Sequence, residues 1–311
     1  MKTVYLRVDF EFYFCYTVKN TPSLRRQHIM KYPNPILEGY ADPDILHENG
    51  KYYFYATSYH TKCGYELLVS NDLITWGNRG MALDCAWGFG DWYWAPDVKK
   101  VNGRYYMLAS VREHLGIAVA DSPEGPFIPE KEPLFDKTID GHIFCDDDGR
   151  IYIYYVTWRE NHRYGLYCME MTSDFEPIYE SERAIIFAEE PWESHQAKVA
   201  EAPYMIKKDG IYYLTYSGSH YESKLYAVGY AVSTSPMGPF EKYGGNPILV
   251  GDGEKICGTG HHCITDDGHG NMLIVYHTHK DSSRIHPRCI SVGTIRFEKD
   301  ADGKVILACT L

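Results

Sequence analysis

Short runs of aromatic and β-branched residues, each introduced by a polar residue and a glycine, recur along the chain. In one of them, Asp209-Gly210 separates the segment 201–208 from Ile211-Tyr212-Tyr213-Leu214. An Asp-Gly pair between such runs favours a β-hairpin, because a type I′ turn needs positive φ at both central positions. The same pattern appears at five glycines spaced 46 to 61 residues apart, namely Gly50, Gly103, Gly149, Gly210 and Gly270. The chain therefore contains five similar units.

Each unit offers about four short strands separated by turns rich in glycine and proline. A repeat of about 50 residues with four strands is typical of a propeller blade. The pattern predicts an all-β fold, a five-bladed β-propeller whose blades each have about four antiparallel strands around a central axis. A β-sandwich shares the many short strands and is the alternative fold.

Residues 1–30 lie outside the repeat. Apolar residues alternate with others in this segment, at Val4, Leu6, Val8, Phe10, Phe12 and Phe14. Such alternation is typical of one amphipathic strand. We therefore expect an N-terminal extension or edge strand over residues 1–30 and a single propeller domain over residues 31–311.

Composition narrows the classes of partner. The chain has 28 tyrosines and 15% aromatic residues, which favour strands and surfaces that stack on sugars. A net charge of −11 argues against nucleic acid or an anionic membrane as partner, and no apolar run is long enough to span a bilayer. The oligomeric state is not indicated by the sequence.

The nine cysteines lack the regular spacing of a disulfide framework or a zinc site. We expect most of them to be buried as small apolar residues. The N-terminus shows no basic segment followed by an apolar run and a cleavage site, so no signal peptide is expected. Together these features predict a reducing, cytoplasmic setting.

The first strand of each propeller blade lies beside the central axis, so its leading residues can face a shared cavity. Counting back eight or nine residues from each hairpin glycine selects Asp42, Ala95, Asp140, Glu201 and His261. Three carboxylates that converge in a confined space repel one another, which raises at least one pKa. A protonated acid beside an ionised carboxylate is what hydrolysis of a glycosidic bond requires.

Five motifs occur in order at blade spacing, between about residues 34 and 300. They are Ala41-Asp42-Pro43-Asp44-Ile45, Trp94-Ala95-Pro96-Asp97-Val98, Ile139-Asp140, Glu201-Ala202-Pro203 and Gly258-Thr259-Gly260-His261-His262. In this combination the chain resembles glycoside hydrolase family 43, the five-bladed propeller enzymes that act on xylosides and arabinosides. Each motif alone is weak, and their order and spacing carry the resemblance.

The resemblance implies a role for each carboxylate. Asp42 would be the general base, Glu201 the general acid, and Asp140 the residue that raises the acid's pKa and orients it. Two positions depart from the family pattern: Gly141 stands where a proline is common and Ala202 where a glycine is common. Both are small residues, so we expect the backbone to adjust without loss of the carboxylates.

The resemblance also implies a divalent cation on the propeller axis, most simply calcium with oxygen ligands that are mainly water. His261 would be its protein ligand, with His262 as the second choice. Arg288 would reach the sugar from the last blade, donate paired hydrogen bonds to its hydroxyls and lower the pKa of the base.

Four tryptophans are candidates for stacking on sugar rings. Trp94 is placed beside the pocket by its neighbour Ala95, whereas Trp76, Trp92 and Trp158 have no such positional argument. Other acidic residues are expected in structural roles as turn, cap or surface groups. These are Asp44, Asp97 and the run Asp146-Asp147-Asp148.

The sequence thus predicts an inverting, exo-acting β-xylosidase that releases xylose from xylo-oligosaccharides during hemicellulose breakdown. The expected partner is a xylo- or arabino-oligosaccharide. The alternative is an α-L-arabinofuranosidase or arabinanase that acts on arabinose-containing hemicellulose. A non-catalytic propeller that binds carbohydrate is the rival from another class.

Overall fold

The computed structural model describes residues 31–311, and the expected strand within residues 1–30 lies outside them. The described residues form 22 strands and two 3₁₀ helices, Tyr179–Ser181 and Pro191–Glu193, with no α-helix among them. None of the described helices is long and apolar enough to cross a membrane. The β-rich pattern of the sequence is therefore confirmed over residues 31–311.

The strands form five antiparallel sheets in chain order. A short strand, β1 (Leu37–Glu38), precedes the first blade, which contains β2 (Tyr40–Glu48), β3 (Lys51–Ser58), β4 (Tyr65–Ser70) and β5 (Gly77–Leu83). The second blade contains β6 (Tyr93–Val101), β7 (Arg104–Val111), β8 (His114–Ala120) and β9 (Ile128–Pro129). The third contains β10 (Thr138–Cys145), β11 (Ile151–Thr157), β12 (Gly165–Met171) and β13 (Arg183–Ile186).

The last two blades each carry an additional strand. The fourth contains β14 (Ala200–Lys208), β15 (Ile211–Gly218), β16 (Ala227–Ser233), β17 (Glu241–Lys242) and β18 (Leu249–Val250). The fifth contains β19 (Gly260–Asp266), β20 (Met272–Thr278), β21 (Cys289–Lys299) and β22 (Val305–Thr310), and β1 joins it by pairing with β21. The predicted five-bladed β-propeller is confirmed, and a strand from before the first blade completes the last one.

Three of the hairpins that revealed the repeat, at Gly50, Gly103 and Gly210, have the expected type I′ backbone, whereas the turns at Gly149 and Gly270 are longer and have positive φ only at the glycine of the pair. Asn49 and Gly50 have φ of 51° and 72°, and Asp209 and Gly210 have φ of 52° and 78°. Positive φ at both central residues is the requirement of a type I′ turn, which glycine meets without steric cost. These turns set the register of the two inner strands of their blades.

The innermost strand of every blade is interrupted by a register shift near its start. One residue in each shift has positive φ, and these five are Asp42, Ala95, Asp140, Ala202 and His261. The expectation that Glu201 occupies the equivalent position was wrong by one residue. Glu201 pairs with Ser217 as Trp94 pairs with Ser110, so Glu201 is the counterpart of Trp94.

Hydrogen bonds between neighbouring blades hold these five residues. Thr57 Oγ1 accepts from the backbone N–H of Ala95 at 3.0 Å, and Ser110 Oγ accepts from that of Asp140 at 2.9 Å.

The contacts continue around the ring. The backbone N–H of Ala202 donates to Asp140 Oδ2 at 3.3 Å, and that of His261 donates to Ser217 Oγ at 2.8 Å. The N–H of Asp42 faces His277 Nδ1 at 3.4 Å, which brings the fifth blade onto the first. We call this set of contacts the inter-blade ring.

The core lies between blades, where aromatic and aliphatic faces of adjacent sheets pack. Fully buried tyrosines are frequent there, including Tyr55, Tyr65, Tyr154 and Tyr155. Their hydroxyls reach backbone or carboxylate acceptors, as when Tyr154 donates to the carbonyl of Pro236 at 2.8 Å. The high tyrosine content therefore serves the packing of blades as well as any sugar-binding surface.

One cysteine pair departs from the expectation of free thiols. A disulfide joins Cys63, between β3 and β4, to Cys85, just after β5. Four of the other cysteines are buried as expected, namely Cys168, Cys257, Cys263 and Cys289. Spacing along the sequence could not reveal the pair, because the β4–β5 hairpin brings the two residues together.

Candidate active site

Asp42 lies at the bottom of the site, with only 5% of its surface exposed. Arg288 donates to both of its oxygens, from Nη1 to Oδ1 at 2.8 Å and from Nη2 to Oδ2 at 3.2 Å. Thr57 Oγ1 also donates to Oδ2, at 2.7 Å. Burial alone would raise the pKa of Asp42, but the charge of Arg288 and contacts with His261 and His277 hold that pKa well below its usual value. Asp42 is therefore ionised.

Glu201 is oriented by two tyrosines that the sequence analysis did not single out. Tyr226 donates to Oε1 at 2.6 Å, and Tyr164 reaches Oε2 at 3.5 Å. Burial raises the pKa of Glu201 to about 7, opposed by the Tyr226 hydrogen bond and supported by the negative charge of Asp42. The carboxyl can therefore hold a proton close to neutral pH.

Asp140 is the third buried carboxylate. Burial raises its pKa well above the usual range, and the nearby charges of Glu201 and Asp42 raise it further. Its Oδ2 accepts from the backbone N–H of Ala202, the residue that follows Glu201. In the equivalent contact a hydroxyl of the first, second or fourth blade accepts, and the fifth blade has His277, but the third blade has Val156 at that position, paired with Ile139. Asp140 thereby fixes the backbone beside Glu201.

The sequence therefore selected three carboxylates that the fold brings to one cavity. Asp140, Glu201 and His261 offer ligand atoms that all lie within 4.8 Å of one another. His261 Nδ1 is 3.3 Å from Asp42 Oδ1 and 4.0 Å from Asp140 Oδ2, so the imidazole stands among the carboxylates. Burial lowers the pKa of His261, which keeps it neutral near pH 7.

This donor set fits a divalent cation. Two carboxylate oxygens and one neutral imidazole nitrogen converge from three blades. A narrow axial cavity of about 20 Å³ is lined by Asp140 and His261, but not by Glu201, and continues to His262 and Cys263. A cavity of this size holds about one water molecule, whereas calcium takes six to eight oxygen ligands. A full calcium shell would therefore need room beyond the axial cavity.

The expectation that His262 could replace His261 as a ligand is not supported by its contacts. His262 lies one layer deeper, where its Nε2 is 2.7 Å from Thr215 Oγ1. Burial and the neighbouring imidazole of His261 lower its pKa to about 3. His262 lies outside the group of potential ligands formed by Asp140, Glu201 and His261.

Arg288 is buried and is itself held by aromatic residues at the mouth of the site. Its Nε donates to Tyr59 Oη at 3.1 Å, and its guanidinium lies 4.9 Å from the ring centre of Tyr221. The hydroxyl of Tyr59 also contacts His286 Nδ1 at 2.7 Å. The planar group is thus fixed on the carboxylate of Asp42 by contacts on several sides.

The four tryptophans fall into different surroundings. Trp94 is partly buried and stacks on Trp92, whose surface is 53% exposed, with ring centres 5.7 Å apart. Trp158 stacks on Tyr164, the residue that contacts Glu201. Trp76 instead packs against Phe54 in the core. Trp94 occupies the position in its blade that Glu201 occupies in the fourth.

The remaining acidic residues have structural contacts, as expected. Asp148 accepts from the backbone N–H of Arg150 at 3.0 Å in the turn between β10 and β11, whereas Asp44 and Asp97 link blades. Asp44 Oδ2 accepts from the backbone N–H of Val98 at 2.8 Å. Asp97 accepts from that of Ile143 at 2.9 Å and contacts His142 Nδ1 at 2.7 Å. Asp146 pairs with Lys207 of the fourth blade.

His277 and Tyr226 are the main site residues that the sequence analysis missed. His277 lies in β20, and Tyr226 immediately precedes β16. Neither falls in the repeated motif of the innermost strands. A signal for His277 existed, because it aligns with Thr57, Ser110 and Ser217 on the second strand of other blades.

Comparison with known proteins decides the family. The model for glycosyl hydrolases family 43 matches residues 32–305. The chain belongs to this family. Among its members, a β-D-galactofuranosidase from Aspergillus niger is 31% identical, over 81% of this chain and 78% of that protein. A xylosidase/arabinosidase 43A from Humicola insolens is 32% identical, over 68% of this chain and 74% of that protein.

A solved family 43 neighbour supports the same placement. The crystal structure described as an endo-1,4-β-xylanase from Bacteroides thetaiotaomicron is 36% identical to this chain, with a TM-score of 0.79. The match covers 88% of this chain and 96% of the other. Membership of family 43 makes the chain a glycosidase, as the sequence resemblance implied.

Proposed function

We propose that the protein is an inverting, exo-acting β-xylosidase in which Asp42 is the general base and Glu201 the general acid. The observation that carries the proposal is the opposite effect of the surroundings on these two carboxyls. Arg288 keeps Asp42 ionised, while burial lets Glu201 keep a proton near pH 7. Two titratable groups whose pKa values are pushed apart are the expected acid and base of a glycosidase.

In this mechanism Asp42 accepts a proton from a water molecule as that water attacks the anomeric carbon. The glycosidic C–O bond breaks, and Glu201 transfers its proton to the leaving oxygen. The product sugar then has the opposite anomeric configuration. Asp140 orients the acid through the backbone of Ala202 and, by its negative charge when ionised, opposes ionisation of Glu201.

Substrate contacts are assigned to Trp94 and Arg288. Trp94 supplies an aromatic face for a sugar ring, and Arg288 has donors that can reach hydroxyls from above Asp42. Asp42 and Asp140 are 5% and 6% exposed, which supports a pocket that receives the end of an oligosaccharide. The partner would therefore be a short xylo-oligosaccharide.

A divalent cation, calcium in the first instance, would lie beside His261, near the carboxylates of Asp140 and Glu201. When bound, it would supply positive charge that favours ionised carboxylates. Direct ligation by Glu201 would oppose its role as an acid. We therefore propose His261 as the principal ligand, with water completing the shell.

The experiment is a comparison of nitrophenyl β-D-xylopyranoside, α-L-arabinofuranoside and β-D-galactofuranoside as substrates. The proposal expects the xyloside to have the highest kcat/KM. A preference for the arabinofuranoside would establish the alternative activity, and the galactofuranoside tests the activity named for the Aspergillus niger relative. Hydrolysis of none of them would contradict all three.

Proton NMR of the first product tests inversion, since retention of configuration would exclude a base acting through water. Glu201→Ala and Asp42→Ala should each lower kcat by about two to four orders of magnitude. A wild type that binds the sugar without hydrolysing it, with the same binding in both alanine variants, would instead support a non-catalytic propeller.

A further inference from the structure

A pair of stacked rings joins the two carboxyls to which the proposed function gives opposite roles. Tyr226 and His277 come from the fourth and fifth blades, and neither has any exposed surface. Their ring centres are 5.5 Å apart, with planes inclined by only 12°. Both rings are therefore fixed by packing before any substrate arrives.

A polar atom of each ring contacts a different carboxyl group. Tyr226 Oη donates to Glu201 Oε1 at 2.6 Å. His277 Nδ1 lies 3.0 Å from Asp42 Oδ1. His277 Nδ1 donates to this oxygen in one tautomer and accepts from the backbone N–H of Asp42, 3.4 Å away, in the other, so either tautomer ties the ring to Asp42. The path from Glu201 to Asp42 thus runs through one hydrogen bond, one stacking contact and one polar contact between His277 and Asp42.

The surroundings leave the pair little freedom. A Cβ on Gly260 would lie 2.3 Å from Cε1 of Tyr226, so this glycine allows the tyrosine ring to approach β19 closely. On the other side, the ring of His261 lies 6.0 Å from that of His277. Tyr226 therefore lies between the backbone of Gly260 and the imidazole of His277, and His277 lies between the rings of Tyr226 and His261.

We propose that Tyr226 and His277 are positioning residues that act as one unit, setting the separation and relative orientation of Glu201 and Asp42. The inference rests on the acid and base roles given above. Inversion needs room for a water molecule between the base and the sugar, and a stacked pair of rings that contacts both carboxyls fixes where each one stands.

Tyr226→Phe tests the acid side, because it keeps the ring and the stack but removes the hydroxyl. A sugar leaving group needs a proton from Glu201, whereas nitrophenolate hardly does. We expect kcat on xylobiose to fall about 10- to 100-fold and kcat on the nitrophenyl xyloside to fall less than about threefold. Tyr154→Phe, which removes a buried hydroxyl bonded to the carbonyl of Pro236, is the matched control and should change neither.

His277→Phe tests the base side and the coupling. It removes the contact with Asp42 and should lower kcat on both substrates to a similar degree, because water activation is needed whatever the leaving group. The double variant should lose less than the product of the two single losses, since residues that act as a unit are not additive. Equal losses on both substrates for Tyr226→Phe, together with additive effects, would contradict the proposal.

Gly260→Ala provides a variant in which every hydrogen-bonding group is kept. Its new Cβ must displace the ring of Tyr226, so it should reproduce the loss on xylobiose with a smaller loss on the nitrophenyl substrate. If the wild type prefers arabinofuranosides, the same tests use arabinobiose and nitrophenyl arabinofuranoside.

A crystal structure of Tyr226→Phe separates this inference from the proposed function. We expect the carboxyl of Glu201 to leave its place beside residue 226. An unchanged carboxyl would overturn the positioning role even if the wild type hydrolysed none of these substrates.

Discussion

The guanidinium of Arg288 donates two hydrogen bonds to the carboxylate of Asp42, at 2.8 and 3.2 Å, although the two residues are 246 positions apart in the sequence. Both groups are buried, so the pair is little screened by water. It keeps a negative charge at the proposed base even though burial opposes that charge.

Arg288→Lys should lower kcat/KM markedly, because lysine keeps the charge but cannot donate to both oxygens in one plane. Loss of one such charge-assisted bond corresponds to about 1.5–3 kcal/mol, or about 10- to 100-fold. Steady-state kinetics measure the effect. Arg284→Lys, in the exposed pair with Asp281 near the start of β21, is the control and should keep wild-type activity.

The pH profile of kcat/KM should be flat in mildly acidic solution and fall above about pH 7. The alkaline fall follows from Glu201, whose pKa is raised to about 7 by burial and by the charge of Asp42, so that the proton it must donate is lost as pH rises. The acid limb should lie below pH 4, because the pKa of Asp42 lies well below 3.8. Undiminished kcat/KM on a sugar leaving group at pH 9 would contradict the assignment of Glu201.

Asp44→Ala should destabilise the fold without entering the chemistry. The substitution leaves the backbone N–H of Val98 in the next blade without its acceptor. This should lower the free energy of unfolding by about 1–3 kcal/mol. Asp44→Asn keeps an acceptor oxygen and should lose much less. Burial and the charge of Asp97 raise the pKa of Asp44 well above its usual value, so a neutral side chain suits the site. Denaturant unfolding of both variants measures the difference, and equal losses would exclude this role.

Calcium should raise the thermal stability of the wild type, and a chelator should lower it. The reason is that a ligand that binds only the folded state stabilises it by mass action. His261→Ala should abolish the response, whereas His262→Ala should keep it, since His262 contacts Thr215 and not the carboxylates. A melting temperature of the wild type that does not depend on calcium would contradict a calcium site.

The disulfide should contribute measurably to stability. It closes a loop with a sequence separation of 22 residues, for which about 3 kcal/mol is expected. A reducing agent should therefore lower the melting temperature of the wild type and leave that of a Cys63→Ser/Cys85→Ser double variant unchanged. The cytoplasmic setting inferred from the sequence remains a prediction, and a disulfide weighs against it because such bonds persist in oxidising compartments.

The fold could be predicted because its signal is local and repeated. Each hairpin is encoded in a polar residue followed by glycine, such as Asn49-Gly50, and five such pairs at blade spacing leave few alternative architectures. The pairing of β1 with β21 could not be read in this way, since it joins distant segments and carries no turn motif.

The sequence singled out the three carboxylates that the fold brings close together. The strand position assigned to Glu201, however, was wrong by one residue. Hairpin turns differ in length between blades, so counting from the glycine misplaces a residue. Alignment on Pro43, Pro96 and Pro203 gives the observed register, with Ala202 beside Asp42 and Ala95.

Contacts made by side chains outside the repeat could not be predicted from the sequence. Tyr226 and Tyr164 reach Glu201 from segments that resemble many other tyrosine-rich segments of this chain. Their roles depend on the angle between neighbouring blades, which no local pattern records.

The closure of the fifth blade on the first has a consequence during synthesis. Asp42 emerges from the ribosome early, but Arg288 and His277, which hold its carboxylate, emerge late. Until they arrive, the strand bearing Asp42 has neither its neighbouring blade nor its counter-charge. A nascent chain should therefore remain without activity until residue 288 has been translated, however early its first blades fold.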